Sequence, residues 1–233
     1  MHISLNNVGK RFNREWIFRH CSYEFAAGKT YAITGSNGSG KSTLLQVISG
    51  SLTHNEGKIE CTDSDTGSLI LDNKAEQSNI QHQVSSIKHQ ASSIQYPVSE
   101  AEIYQRIAIA DPYLELVEEM SAKEMLDFHA GFKQLILPIA EILQFVGLEK
   151  ATHKQIRYYS SGMKQRLKLA QAFFSNTPVL LLDEPTTNLD ADGIALYHKL
   201  INNYTAGRLV IVSSNDTQEY DFCGEVIKIG DYK

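Results

Sequence analysis

The pattern of hydrophobic and polar positions predicts an α/β domain. Short apolar runs that are typical of buried strands alternate with segments whose apolar residues recur at helical spacing. The predicted strands are HISLNNV, CSYEF, TYAIT, RIAIA, PVLLLDEP and RLVIVSS. The predicted helices include KSTLLQVIS, which ends at Gly50, and GIALYHKLINNY. We therefore expect a mainly parallel central sheet, with a small antiparallel β region near the N-terminus.

Two segments interrupt this alternation. Residues 62–105 are polar and rich in Ser, Gln, Asn and His, so we expect an exposed, mobile insertion there. Residues 111–160 carry apolar positions at helical spacing, as in SAKEMLDFHAGF and LILPIAEILQFVGL, which predicts a helical subdomain. We expect one domain over residues 1–233 that contains both segments.

Composition and charge exclude several classes of protein. A chain of 233 residues with 42% hydrophobic residues can bury one sizeable core. Its net charge of −5 disfavours nucleic acid as a partner. The three cysteines are far apart and form no CxxC pair, which favours reduced thiols over disulfides or zinc. No apolar run reaches the roughly 20 residues of a membrane span, so we expect a cytoplasmic protein that reaches a membrane only through a partner.

The segment GSNGSGKS, which follows the strand TYAIT and opens a helix, matches a phosphate-binding loop. Its glycines allow the backbone to curl with N–H groups pointing inward at the N-terminus of a helix. Lys41 would place a charge between the β- and γ-phosphates, and Ser42 would bind Mg²⁺. The alternative, a glycine-rich turn before a helix, is disfavoured by the full match. The predicted nucleotide-binding residues of this loop are Gly35, Ser36, Asn37, Gly38, Ser39, Gly40, Lys41, Ser42 and Thr43.

Two carboxylates end the apolar strand VLLLDEP. Asp183 is well placed to hold a magnesium ion through water. Glu184 would point in a different direction and could accept a proton from an attacking water. Such a pair can also simply end a strand, but next to a phosphate loop it predicts a site for a nucleotide and its metal ion.

Together these motifs resemble those of the ATP-binding cassette ATPases, the nucleotide-binding subunits of ABC transporters. The likeness covers nearly the whole chain. After the phosphate loop, YSSGM at 159–163 stands in place of the LSGGQ signature, followed by LLLDEP at 180–185 and the D-loop TNLD at 187–190. The resemblance implies a P-loop NTPase cassette, ATP and Mg²⁺ as cofactors, hydrolysis to ADP and phosphate, and a separate membrane-spanning permease subunit.

The resemblance also implies that two copies pack head to tail, so that the signature of one covers the γ-phosphate held by the other. Here Ser161 replaces a glycine of the signature and Met163 replaces its glutamine. A simpler interpretation is that Ser160 or Ser161 only caps a helix. The residues implied to act across the dimer are Ser160, Ser161, Gly162 and Met163 of the signature, and Asn188, Leu189 and Asp190 of the D-loop.

An aromatic residue that stacks on adenine is also implied by the resemblance. Phe12 stands at its position, and Trp16 is the nearby competitor. Stacking of this kind accepts any base and is worth roughly 1–3 kcal/mol. The alternative for Phe12 is a core residue at the end of a strand.

Two residues of the family pattern are missing. Asp111 or Pro112 stands where a glutamine should follow the strand RIAIA, and Asp111 is a candidate further ligand of Mg²⁺, with loop solvation as the alternative. Asn215 stands where relatives carry a catalytic histidine. Asparagine can donate a hydrogen bond but cannot take up a proton. We therefore predict slow hydrolysis, with Glu184 as the base.

Three other functions remain open at this point. The chain could be a cassette of a soluble, non-transport assembly, or a cassette that binds ATP as a switch with little turnover, which Asn215 favours. A P-loop kinase is disfavoured by the signature and the D-loop. Co-purification with a membrane protein would separate a transporter subunit from a soluble regulator.

Overall fold

Two β-sheets organise the chain, which a computed structural model describes over residues 1–64, 95–97 and 100–233. The antiparallel sheet has the order β2-β1-β4-β5 and consists of β1 (His2–Phe12), β2 (Glu15–Phe25), β4 (Glu56–Ser64) and β5 (Gln95–Pro97). The parallel sheet has the order β6-β7-β8-β3-β9 and consists of β3 (Thr30–Thr34), β6 (Ile107–Ala110), β7 (Val179–Asp183), β8 (Leu209–Ser213) and β9 (Glu225–Lys228). The predicted fold class is therefore confirmed.

The helices α3, α5 and α6 each begin at a side chain that accepts from a free N–H group of the first turn. The Ser121 hydroxyl and the Glu124 carboxylate form a reciprocal capping box at the start of α3. The helices are α1 (Lys41–Ile48), α2 (Glu100–Arg106), α3 (Ala122–Ala130), α4 (Ile139–Phe145), α5 (Ser161–Phe173) and α6 (Ala191–Tyr204). Short 3₁₀ turns cover Glu149–Ala151, Ile156–Tyr158, Thr217–Glu219 and Ile229–Tyr232. The segment predicted to be a helical subdomain thus contains α3, α4 and two of these turns.

Both faces of the parallel sheet are buried at its central strands β7 and β8. Val179 and Leu181 of β7 pack into a cluster with α1 and the antiparallel sheet. Leu180 and Leu182 point to the opposite face and pack with α5 and α6. Successive side chains of a strand point to opposite faces, so a strand that is covered on both sides must be apolar throughout. This explains the continuous apolar runs in the sequence.

The predicted polar insertion, about 62–105, lies mostly outside the described residues, and the structure describes only its two ends. Residues 65–94, 98 and 99 lie outside the described part of the chain. At the first end, β4 continues to Ser64, and Thr62 pairs with His2 of β1. At the other end, the Tyr104 hydroxyl of α2 donates to the carbonyl of Gly50 at 3.2 Å. Backbone pairing holds β4 in the sheet without an apolar composition, and the apolar side chain of Ile103 packs α2 against the core.

The structure bears on two expectations from composition, which concern membrane-spanning helices and the state of the cysteines. Among the described residues, no helix combines the length and the apolar character that crossing a bilayer requires. The cysteines Cys21, Cys61 and Cys223 are all free thiols, and burial raises the pKa of Cys21 to about 12. Because a thiolate is the reactive form, such a thiol is chemically inert at neutral pH.

Candidate active site

The phosphate loop and the predicted carboxylates meet at the carboxyl ends of the parallel strands. The pairing of β6 with β7 places Asp111 beside Asp183, and Asp183 pairs with Ser213 at the end of β8. Strand β8 also pairs with β3, whose last residue, Thr34, is followed by Gly35 at the start of the phosphate loop. Ligands of open α/β sheets bind at this edge, beyond the carboxyl ends of the strands.

The phosphate loop has a backbone conformation that only glycine adopts easily. Gly38 and Gly40 have φ angles of +75° and +103°. A Cβ atom at Gly40 would lie 2.5 Å from Cγ2 of Ile17, whereas nothing lies within 4 Å of such an atom at Gly38. The loop is therefore packed against β2 at Gly40 and open at Gly38, where a ligand can approach the backbone.

A cleft of about 320 Å³ opens over this loop. Lys41 is 4% exposed, and its ammonium donates to the carbonyl oxygens of Gly35 at 2.9 Å and Ser36 at 3.3 Å. These acceptors are neutral, so a phosphate would be a stronger partner for the ammonium. The predicted loop residues that line the cleft are Asn37, Gly38, Gly40, Lys41, Ser42 and Thr43.

Asp183 is buried in a place that favours a bound cation. The side chain is 2% exposed, and within the described residues its Oδ1 atom has no hydrogen-bond partner. Burial raises the pKa of Asp183, the Ser42 hydroxyl partly opposes this, and the charges of Asp111 and Glu184 raise it further. A buried, unpartnered carboxylate oxygen is costly unless a positive charge compensates it. Asp183 and Ser42 therefore fit Mg²⁺.

The donors also fit the way in which proteins bind Mg²⁺ with nucleotides. In the part of the chain that the structure describes, no three His, Cys, Asp or Glu side chains are grouped closely enough to hold a metal ion. Mg²⁺ is usually held by one or two carboxylates together with substrate phosphates. Asp111 is 8% exposed, so it is buried rather than solvated, and its Oδ1 accepts from the N–H of Tyr113 at 2.7 Å.

Glu184 differs from Asp183 in direction. It lines the cleft that holds the phosphate loop, whereas Asp183 is buried behind it. Its backbone N–H donates to the carbonyl of Ser213 at 2.8 Å, and its φ angle is +40°. A positive φ is uncommon outside glycine and is often found at active sites. The Glu184 side chain thus lines the same cleft as the phosphate loop.

Asn215 lies directly against the phosphate loop. Its Nδ2 donates to Oδ1 of Asn37 at 2.7 Å, and its Oδ1 accepts from the N–H of Gly35 at 3.3 Å. The residue that replaces the expected histidine is thus close enough to reach a phosphate, and it retains a hydrogen-bond donor.

The signature lies in a second cleft of about 320 Å³, together with the D-loop. Ser160 caps α5 by accepting from the N–H of Met163 at 3.2 Å, while Ser161 is exposed. Met163 is half-buried against the core, which explains why an apolar side chain is accepted there. Among the described residues, this cleft shares no lining residue with the cleft of the phosphate loop. The fold therefore keeps the signature apart from the phosphate loop of its own chain.

The D-loop is attached to the signature helix. Asp190 caps α6 by accepting from the N–H of Gly193 at 2.9 Å, and the same oxygen accepts from Arg166 of α5 at 3.1 Å. These bonds hold the pKa of Asp190 below its usual value. Leu189 is half-buried against the core, and Asn188 is exposed at a φ of +66°.

The aromatic candidates lie outside the phosphate cleft. Phe12 ends β1 with 47% of its surface exposed, and the ammonium of Lys10 lies 5.0 Å from its ring centroid. Trp16 is half-buried, with the guanidinium of Arg19 at 4.5 Å from its ring centroid. Ile17 lines the cleft instead. Phe12 keeps a free ring surface, so its stacking on adenine stays a prediction.

Two buried polar residues that we did not single out from the sequence hold the segment after Glu184. Gln165 of α5 is 2% exposed and donates to the carbonyl of Pro185 at 2.9 Å. Glu219 is 3% exposed and accepts from the N–H of Thr186 at 2.7 Å. A glutamine on the buried face of a predicted helix is a signal that the sequence contains. Nothing in the sequence around Glu219 indicates its partner.

Comparisons with known proteins agree with this geometry. The sequence profile of the family described as ABC transporter matches residues 18–187. An uncharacterized ABC transporter ATP-binding protein of Bacillus subtilis, YybJ, is 29% identical over 220 residues, which cover 93% of this chain and 87% of that protein. The cytochrome c biogenesis ATP-binding export protein CcmA of Rhizobium etli is 28% identical over 221 residues, which cover 92% and 88% of the two chains.

A solved structure shows the same fold. It is a dimeric post-hydrolysis state of the ATP-binding cassette MJ0796 bound to ADP and phosphate, with a TM-score of 0.70 and 20% identity, covering 97% of this chain and 93% of that one. The match of the family profile spans well over half of the chain and includes the phosphate loop, the signature and the acidic strand end. The chain belongs to the ABC transporter family, in which it is an ATP-binding and ATP-hydrolysing subunit.

Proposed function

We propose that two copies of this chain close head to tail over two molecules of MgATP and thereby drive a membrane-spanning partner. One observation carries the proposal: the signature helix presents Ser160 and Ser161 in a cleft of their own, apart from the phosphate loop. The N-terminus of a helix attracts anions. A phosphate held by a second copy of the chain would satisfy this helix end.

In this proposal each side chain has a role that its position supports. Lys41 and the N–H groups of the phosphate loop bind the β- and γ-phosphates. Ser42 and Asp183, with Asp111 as a further candidate, hold Mg²⁺, which neutralises charge on the phosphates. Glu184 orients a water and accepts its proton. Loss of the γ-phosphate then removes the bridge between the two copies, so the dimer opens.

The membrane partner is inferred from the family and from relatives. The related CcmA is named as an export protein, and the related MJ0796 cassette forms a dimer. We place this chain at the cytoplasmic face of a membrane, attached to a separate permease, with no role for nucleic acid. Co-purification with a multi-spanning membrane protein from a detergent extract supports this placement, and co-purification with soluble proteins alone contradicts it.

Mixing two inactive variants tests the shared site. Lys41→Ala removes the ammonium from one phosphate loop, and Gly162→Asp puts a carboxylate where the γ-phosphate of the other copy would come. Each variant alone has two defective sites. A mixed dimer has one intact site, made by the loop of one variant and the signature of the other. If the chains encounter one another at random, half of the pairs are mixed and each mixed pair has one intact site of two, so equal mixing should restore about a quarter of the wild-type hydrolysis rate.

The control for mixing uses a variant that carries both substitutions. Mixed with Lys41→Ala, it offers no intact loop, so hydrolysis should stay absent. Assortment of the chains is checked by giving each variant a different affinity tag. If tagged pull-down shows mixed dimers and hydrolysis still does not recover, the signature does not act across the dimer.

The replacement of the family histidine by Asn215 is expected to slow hydrolysis. Asn215→His should raise kcat by roughly tenfold. Imidazole can take up or release a proton next to the γ-phosphate, whereas asparagine can only form hydrogen bonds there. KM for MgATP should change little, since the phosphate loop and Lys41 are unchanged. Phosphate release at saturating MgATP measures the effect. An unchanged kcat would mean that the missing histidine does not limit the reaction.

A further inference from the structure

The signature helix α5 is attached to the segment after β6 by two lysines that lie one helical turn apart. Lys168 donates to the carbonyl oxygen of Pro112, and Lys164 donates to the carboxylate of Glu118. The two lysines differ in environment. Lys168 is 7% exposed, whereas the side chains of Lys164 and Glu118 are 30% and 53% exposed.

The position of Lys168 links the signature helix to the metal end of the site. Its acceptor, Pro112, directly follows Asp111, which lies beside Asp183 at the end of the neighbouring strand. Burial lowers the pKa of Lys168, and the carboxylate of Asp111 opposes that effect, so the two charges interact. A continuous set of contacts therefore leads from Asp183 through Asp111 and Pro112 to the helix that begins with the signature.

The hydrogen bond to Pro112 compensates the burial of the Lys168 ammonium group. A buried ammonium is costly unless it is paired and hydrogen-bonded, and well-packed apolar side chains often serve the fold equally well. The neighbouring α5 residues Leu167 and Leu169 are apolar and fully buried. A charge at 168 is thus better explained by its contact with the segment that carries Asp111.

We propose that Lys168 is a positioning residue for hydrolysis: it holds the segment after β6 so that Asp111 stays at the metal end of the site, attached to the signature helix. The inference rests on the proposed function, in which Asp111 and Asp183 bind the Mg²⁺ of MgATP.

Metal binding by the ATP-loaded protein tests this role without relying on turnover. Mn²⁺ is titrated onto the Glu184→Gln protein with ATP kept below the protein concentration, so that little free ATP competes for the metal, and free Mn²⁺ is followed by its electron paramagnetic resonance signal. Adding Lys168→Met should weaken Mn²⁺ binding by roughly tenfold, as when a residue that orients a ligand is lost. Lys168→Arg, which keeps a charged donor, should restore most of the affinity.

Lys164→Met is the matched control. It removes the same charge from the same helix one turn away, but its partner Glu118 is exposed, so Mn²⁺ affinity should change by no more than about twofold. A double-mutant cycle with Asp111→Asn adds a second criterion. Once Asp111 has lost its charge, Lys168→Met should cause little further loss, because the two residues act as one unit.

Three results would overturn the proposal. If Lys168→Met and Lys164→Met change Mn²⁺ affinity equally, Lys168 has no special role. Tighter Mn²⁺ binding by Lys168→Met would mean that the ammonium only repels the metal ion. If the losses of Mn²⁺ affinity in the double-mutant cycle are additive, Lys168 does not act through Asp111. If Lys168→Met does not fold, Lys168→Gln replaces it, with the same expected loss and the same criteria.

This test does not require dimerisation. Mn²⁺ and ATP bind to the loop and strand ends of a single chain, so the titration is informative even if the two copies never close. If mixing of variants fails to restore hydrolysis while Mn²⁺ binding depends on Lys168, the shared site is wrong and the positioning role stands. If mixing restores hydrolysis while Mn²⁺ binding does not depend on Lys168, only the positioning role is wrong.

Discussion

Replacing Glu184 by glutamine is expected to lower the rate of ATP hydrolysis by about a thousandfold, because the site loses its candidate base. ATP binding should remain, since the phosphate loop, Lys41 and Asp183 are unchanged. With the γ-phosphate no longer removed, the ATP-bound dimer should accumulate. Phosphate release measures the first effect, and a sizing column run with and without ATP measures the second.

Lys41→Ala is the counterpart of this variant. It removes the ammonium that is held against the carbonyls of the phosphate loop, so the γ-phosphate is not bound and the ATP-dependent dimer should not form. Both variants are measured at the same magnesium concentration, so that a difference between them comes from the substituted side chain. Wild-type turnover by Glu184→Gln would show that another group activates the water.

Replacing Arg208 by methionine is expected to destabilise the fold by about 3 kcal/mol. The guanidinium donates to the carbonyls of Phe173 at 3.0 Å and Ala172 at 3.3 Å, near the end of α5, and to the Thr177 hydroxyl at 2.7 Å. It also reaches the carbonyl of Tyr204 at the end of α6. Methionine fills similar space but leaves these acceptors without a donor. Denaturant unfolding measures the loss.

Arg157→Met is the control for this prediction. Arg157 pairs with Glu119 at 3.6 Å, and their side chains are 42% and 73% exposed, so its loss should cost no more than about 0.5 kcal/mol. Burial lowers the pKa of Arg208 to about 10, which shows how far its guanidinium is withdrawn from water. If both variants unfold at the same denaturant concentration, the bonds of Arg208 to the helix ends contribute no net stability.

Several parts of the site could be predicted from the sequence because they depend on short stretches of chain. The phosphate loop follows from glycines such as Gly38 and Gly40, whose positive φ angles only glycine adopts easily. The start of α5 follows from Ser160, which caps the helix within three residues. The parallel sheet follows from apolar runs, since strands covered on both faces must be apolar throughout.

Other predictions were limited because composition does not report backbone pairing. Residues 62–64 are polar, yet β4 continues through them because its backbone pairs with β1 and β5.

Phe12 and Trp16 were both candidates for stacking on adenine, and their sequence positions could not separate them. In the structure Trp16 packs against Arg19, while Phe12 keeps an exposed ring.

The sequence by itself determined the phosphate loop, the acidic strand end and the signature, because each is a contiguous stretch whose local geometry depends on its own residues. Together these motifs also determined the family. Only the tertiary structure decided that Asp111 lies beside Asp183, and that Lys168 reaches Pro112 across 56 positions of the chain. Those contacts depend on the register of parallel strands and on how α5 packs on the sheet. Neither is specified by any short stretch, so they exist only once the whole core is assembled.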